Sequence, residues 1–250
     1  KSIEETPTVE SRLIETTEEL YAAVDAYLEQ GYRNLGYRIH NMSAWNVSMI
    51  TNFSSVVDYQ RNRSSPMIGF NDPGINNWDV SRATTFSRML RGGAYQTFEQ
   101  AFDQPLDKWQ TSNVVDFSSM FEFNDFNQDL SSWDTSSATS MRSMFQYTPY
   151  FNGDITSFNT SSVTNMDMMF YRAYAFNRDI GDWDVSRVTS LLGTFSWTSY
   201  FNQDISGWDV SKVECFGNTF DAAFQFNQDL CAWDVNYQDV CQGGRRPFTY

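Results

Sequence analysis

Apolar positions along this chain recur with a long fixed period laid over shorter local alternations. FNQDLSSWDTSSATSMRSMF from Phe126, FNGDITSFNTSSVTNMDMMF from Phe151, FNRDIGDWDVSRVTSLLGTF from Phe176 and FNQDISGWDVSKVECFGNTF from Phe201 precede FNQDLCAWDV from Phe226, giving four successive intervals of 25 residues. Looser copies begin at Phe102, Phe70 and Ala44, for about eight in all. Trp45, Trp78 and Trp109 are 33 and 31 residues apart, so the early copies carry extra residues at 58–69 and 91–101, after the same repeat position. One copy cannot bury its apolar side alone, so copies stack and equivalent residues form columns. One column holds Phe102, Phe126, Phe151, Phe176, Phe201 and Phe226, a second Trp109, Trp133, Phe158, Trp183, Trp208 and Trp233, and a third Phe121, Phe145, Phe170, Phe195 and Phe220.

Within a copy, DISxWDV alternates as a short strand does, while VTxMxxMF puts apolar residues at i, i+3 and i+4, as one helical face requires. A preceding Ser or Thr can cap that turn. The pattern predicts a solenoid whose coils each hold one short β-strand and one short helix or 3₁₀ turn. Residues 16–30 (TTEELYAAVDAYLEQ) read as an amphipathic helix with Leu20, Val24, Tyr27 and Leu28 on one side and Gly31 as its stop. The expected organisation is an N-terminal segment, 1–43, with this capping helix, a solenoid over 44–235, and a C-terminal cap and tail over 236–250.

Composition narrows the picture. Of 250 residues 41% are hydrophobic and 17% aromatic, with 21 Phe, which argues for a packed core of large flat side chains. A net charge of −14 disfavours nucleic acid and anionic membranes as partners and leaves cations and basic surfaces. No apolar stretch approaches the roughly 20 residues that span a bilayer, so direct membrane insertion is not expected. The sequence begins at Lys1 without the apolar run of a signal peptide, as a processed secreted chain would.

Catalytic chemistry finds little support. GxSxG, HExxH and P-loop patterns are missing and His40 is the lone histidine, which leaves a carboxylate-based glycosidase as the residual enzyme reading. Asp129, Asp154, Asp179, Asp204 and Asp229 share one repeat position, and Asp134, Asp184, Asp209 and Asp234 another, interrupted by Asn159. Carboxylates aligned about 4.8 Å apart would repel unless neutralised or hydrogen-bonded, so the first row is either a Ca²⁺ column or a set of turn-capping groups. The turn reading is preferred. No other cofactor is expected. Asn127, Asn152, Asn177, Asn202 and Asn227 resemble an asparagine ladder bonding between coils. Tyr147, Tyr150, Tyr171, Tyr174 and Tyr200 lie between coils and form the exposed aromatic set, with sugar binding as their functional reading.

Glycosylation sequons occur at Asn41, Asn46, Asn52, Asn62 and Asn159. Asn46 and Asn159 stand where other coils have the turn Asp and should be engaged and partly buried, so Asn41 and Asn62 are the favoured acceptors. Three cysteines permit one disulfide. Cys231 with Cys241 is preferred, Cys215 with Cys241 is the alternative, and three reduced thiols remain open. Arg61, Arg63, Arg91 and Tyr95, in the two insertions, are candidates for partner contact.

The motif FNxDIxxWDVSxVTxMxxMF, repeated over roughly residues 44–235, resembles the repeat of the bacterial surface protein and mycoplasma lipoprotein family (BspA-like), also found in secreted proteins of marine algae. ELYAAVDAYL before a WNVS coil is similar to the N-terminal entry of the algal members. The resemblance implies a leucine-rich-repeat-like solenoid at the cell surface and no catalytic residues. Phe158-Asn159, in place of Trp-Asp, and the early insertions depart from the pattern. Together these features lead us to expect an extracellular binding or adhesion module acting as a rigid interaction scaffold. A structural subunit of a cell wall, sheath or appendage is the first alternative, and a carbohydrate-binding or carbohydrate-active protein the second. Expected partners are an extracellular protein, a glycan or copies of the chain itself.

Overall fold

A computed structural model describes residues 12–33, 42–61, 70–93 and 102–233. It opens with β1 (Arg12–Leu13), which pairs in parallel with β2 (Trp45–Asn46), and with helix α1 (Thr17–Arg33) between them. A capping box starts α1. The Thr16 hydroxyl accepts the Glu19 N–H at 3.1 Å, and the Glu19 carboxylate accepts the N–H groups of Glu15 and Thr16 at 2.9 and 3.3 Å. Leu20, Ala23, Val24 and Leu28 form its buried face. The helix continues past Gly31, where the sequence predicts its end, because a single glycine costs a helix only about 1 kcal/mol. Thr17 and Tyr21 donate from their hydroxyls to the carbonyls of Asn52 and Ser54, laying α1 along the first repeat.

Successive repeats lie side by side. Parallel bridges join Asn52, Thr85, Asp116, Ser140, Asn165, Ser190 and Cys215 in order, so one position in each repeat meets its counterpart in the next. Around these bridges the architecture differs from the expected strand and helical turn. Apart from β2 and 3₁₀ turns at Met42–Ala44 and Pro73–Asn77, the described repeats consist of single bridges and tandem turns.

The MxxMF segment shows why. Phe117, Ser119, Phe121 and Phe123 donate their N–H groups to the carbonyls of Ser140, Arg142, Met144 and Gln146 in the next repeat, at 2.8–3.0 Å. The alternate residues Met120 and Glu122 donate three residues back, to Phe117 and Ser119. A helix would commit nearly every N–H to its own carbonyls and leave none for the neighbouring repeat. The alternation satisfies both demands, while i, i+3 spacing still brings the apolar side chains to one side.

The turns require a left-handed residue at their third position. Ser119, Ser143, Met168, Gly193 and Asn218 take φ between 54° and 61° in one column. Phe123, Tyr147, Arg172, Trp197 and Ala222 do so four residues later. Glycine occupies only one of these positions. The strain, roughly 1–2 kcal/mol per non-glycine residue, is offset by the inter-repeat bonds.

The core is the stack of columns. Phe121, Phe145, Phe170, Phe195 and Phe220 follow one another at ring separations of 5.6–5.8 Å. Phe126, Phe151, Phe176, Phe201 and Phe226 follow at 5.8–6.3 Å. The two columns interlock where Phe145 meets Phe151 at 3.8 Å and Phe170 meets Phe176 at 3.9 Å. Trp109, Trp133, Trp208 and Trp233 each donate the indole N–H to a carbonyl of the preceding repeat, so these four join the repeats by both ring contact and hydrogen bond. At Gly153 the backbones meet so closely that a Cβ would lie 2.1 Å from the Gln128 carbonyl oxygen.

Candidate functional site

The residues following each core phenylalanine form one edge of the stack. Thr148 and Thr198 anchor it, their buried hydroxyls donating to the carbonyls of Phe121 and Phe170 at 2.8 and 2.7 Å. The left-handed position two residues after the phenylalanine carries a mixed aromatic and cationic row. Phe123 stacks on Tyr147 at 4.7 Å. The Arg172 guanidinium lies between Tyr147, at 5.0 Å, and Trp197, at 5.1 Å, and also covers Tyr171. Trp197 meets Phe224 edge-on at 6.2 Å. Cations over ring faces are attracted by the ring quadrupole, so Arg172 fastens three repeats together. Burial pushes the Tyr147 phenol above its usual range, keeping it neutral, and the buried Nε of Arg172 has no hydrogen-bond partner.

Of the five tyrosines singled out from sequence, Tyr150 and Tyr200 are exposed, by 60% and 55%, while Tyr147, Tyr171 and Tyr174 are half-buried. Trp197 and Phe224 are exposed as well. The sequence reading missed Arg172, Trp197 and Phe224, although alignment at the 25-residue period places Arg172 and Trp197 in the column of Tyr147.

A neighbouring column reads Asp125, Tyr150, Ala175, Tyr200 and Gln225. Its register is held by backbone bonds from Ala175 to Pro149, Tyr200 to Tyr174 and Gln225 to Ser199. Burial, reinforced by the Asp103 carboxylate, holds the Asp125 carboxyl above the usual range.

The other candidates resolve into structural roles. Each of Asp129, Asp154, Asp179, Asp204 and Asp229 accepts the backbone N–H two residues on, at 2.7–3.1 Å. Asp134, Asp184 and Asp209 do the same at about 3 Å. For Asp154 the backbone N–H and the hydroxyl of Thr156 together hold the carboxyl below its usual range. Among the described residues, no group of three or more His, Cys, Asp or Glu side chains could hold a metal ion. The asparagine ladder is continuous. Asn71, Asp103, Asn127, Asn152, Asn177 and Asn202 each accept, on the side-chain oxygen, the backbone N–H of the equivalent residue in the next repeat, at 2.8–3.0 Å.

Three expectations are corrected. Arg61 and Arg91 serve the chain's own packing. Arg61 makes a two-pronged pair with Asp25 of α1 at 2.6 and 2.9 Å, donates to the carbonyls of Ser55 and Val56 and lies over Tyr21. Arg91 pairs with Glu122 at 2.6 Å and covers Phe123. Both guanidinium groups are spent on carboxylates held in adjacent elements. Arg63 and Tyr95 lie outside the described residues. Cys231 is a free, exposed thiol, which removes the Cys231–Cys241 pairing, and Cys215 is disulfide-bonded; Cys241 lies outside the described residues. Asn46 and Asn159 are engaged as expected, each accepting the backbone N–H two residues on, but both are exposed because that bond uses only the side-chain oxygen. Asn41 and Asn62, like His40, lie outside the described residues.

Units of recurring sequence, bridged to one another at equivalent positions, define a repeat protein. The chain belongs to the family described as Mycoplasma protein of unknown function, DUF285, whose family model matches residues 28–100, 69–175 and 150–242. No curated protein and no solved structure matches the chain. No described helix is long and apolar enough to cross a membrane.

Proposed function

We propose that this protein is a rigid, leucine-rich-repeat-like solenoid of the BspA-like kind that acts outside the cell as a binding or adhesion scaffold. The observation carrying this reading is the unbroken inter-repeat ladder from Asn52 to Cys215, combined with an aromatic edge left exposed along it. A stack in which each unit bonds to its neighbours holds side chains at fixed intervals, which suits the capture of an extended partner. The bonded cysteine and the exposed sequon asparagines Asn46, Asn52 and Asn159 support an oxidising, secretory setting. The engagement of the repeated carboxylates in their own turns favours a non-enzymatic role.

The ladder also supports a second reading, a structural subunit that assembles end to end. Small-angle scattering across a concentration series separates the two. A monomer of constant elongated dimensions supports the scaffold, length that grows with concentration supports the assembly subunit, and a compact or flexible particle refutes both.

A further inference from the structure

We infer that the column Asp125–Tyr150–Ala175–Tyr200–Gln225 is a binding row for a neutral, extended polysaccharide. This deepens the scaffold reading by assigning its ligand. Tyr150 and Tyr200 are exposed by 60% and 55%, and they stand two repeats apart with Ala175 between them. Two inter-repeat steps of about 4.8 Å put the backbones that carry them about 10 Å apart, on the scale of a disaccharide in an extended chain. Ala175, between them in the column, carries only a methyl group, so that column holds no bulky side chain between the two tyrosines.

The row ends in planar hydrogen-bonding groups, Asp125 on one side and Gln225 on the other. Aromatic faces for the C–H side of a sugar ring, with a few polar groups for its hydroxyls, are the usual furnishings of a ligand site. The Arg172 guanidinium, held between Tyr147 and Trp197, stiffens the repeat that carries Ala175.

Charge and shape select the occupant. A chain of net charge −14 repels polyanions, which disfavours acidic glycans and single-stranded nucleic acid even though bases also stack on aromatic rows. A linear row of separated exposed rings matches an extended chain, with Trp197 and Phe224 exposed in the adjoining row. A neutral glycan chain running along the stack meets both conditions.

The test is calorimetric titration of the full chain with cellohexaose, chitohexaose and mannohexaose, with heparin as the polyanion control. Binding of at least one neutral hexasaccharide is expected, weakened at least about tenfold by Tyr150→Ala combined with Tyr200→Ala. Ala175→Trp, which puts a large ring between the tyrosines and leaves both in place, should abolish it. Tyr150 and Tyr200 lie at the surface, and unchanged far-ultraviolet circular dichroism and melting temperature will show that the fold persists in each variant. No binding by any neutral probe, equal binding by the tyrosine variant, or preference for heparin overturns the inference. The titration reads the isolated chain, so its failure is distinguishable from failure of the scaffold reading, which the scattering series tests.

Discussion

Replacing Phe170 with alanine probes the feature on which the architecture depends most, the ring-on-ring continuity of the core. Phe170 is fully buried, stacks on Phe145 and Phe195 in adjacent repeats at 5.8 and 5.7 Å, and lies 3.9 Å from Phe176, which opens the next repeat. Truncating a buried phenylalanine costs about 3–5 kcal/mol through lost transfer energy and the residual cavity. Ring pairs of this kind add about 0.5–1.5 kcal/mol each, and three are lost together, so the upper end, about 5 kcal/mol, is expected. Collapse around the cavity is hindered because the neighbouring backbones are bonded at a set spacing on both sides. Phe220, half-buried at the end of the column, should lose only about 2 kcal/mol on the same truncation. Phe170→Leu, which keeps volume but not the ring, should cost about 1.5 kcal/mol. Equilibrium urea unfolding, followed by tryptophan emission and far-ultraviolet circular dichroism, measures all three. If Phe170→Ala costs under about 2 kcal/mol, or no more than Phe220→Ala, stacking between repeats is not what holds the core.

Other perturbations test separate joints. Arg61→Ala removes the pair with Asp25 and two carbonyl bonds, and should weaken the docking of α1 by about 2 kcal/mol, read as early loss of helical ellipticity on heating. Gly153→Ala should cost over about 2 kcal/mol because its Cβ would strike the Gln128 carbonyl, whereas Gly207→Ala, with nothing within 4 Å, should stay within about 0.5 kcal/mol; thermal melts compare them. The carboxyls of Asp134, Asp154, Asp184, Asp204, Asp209 and Asp229 sit below their usual range through hydrogen bonds to the hydroxyl, thiol or N–H two residues on. Their stabilisation is therefore complete above the unfolded value of about 3.9 and is lost as pH falls through the lower folded values. Melting temperature should fall together with pH below about 4, and a flat acid profile would contradict the turn assignment. Alkylation of the folded, unreduced protein should label Cys231 and spare Cys215; mass spectrometry of the peptides reads this directly.

The sequence by itself determined the period, the three aromatic columns, the asparagine ladder and the turn role of the repeated aspartates. These rest on residue identity recurring at equal intervals, and identical neighbours stacked in register can interact in few ways. The local conformation within a repeat was decided only by tertiary structure. An i, i+3 apolar pattern fits a helix and a pair of tandem turns equally well, and the choice between them came from the N–H groups, half of which bond to a different repeat. Glycine marks only one left-handed turn position in the first column, Gly193, so the strained backbone left little trace in composition. Arg61 and Arg91 looked available in sequence because their carboxylate partners lie 36 and 31 residues away, distances that only the stacking of repeats brings within hydrogen-bond range. The mixed row of Tyr147, Arg172 and Trp197 escaped for a related reason. Three unlike residues share one column, and what unites them is the cation–ring contact that forms when adjacent repeats are packed side by side.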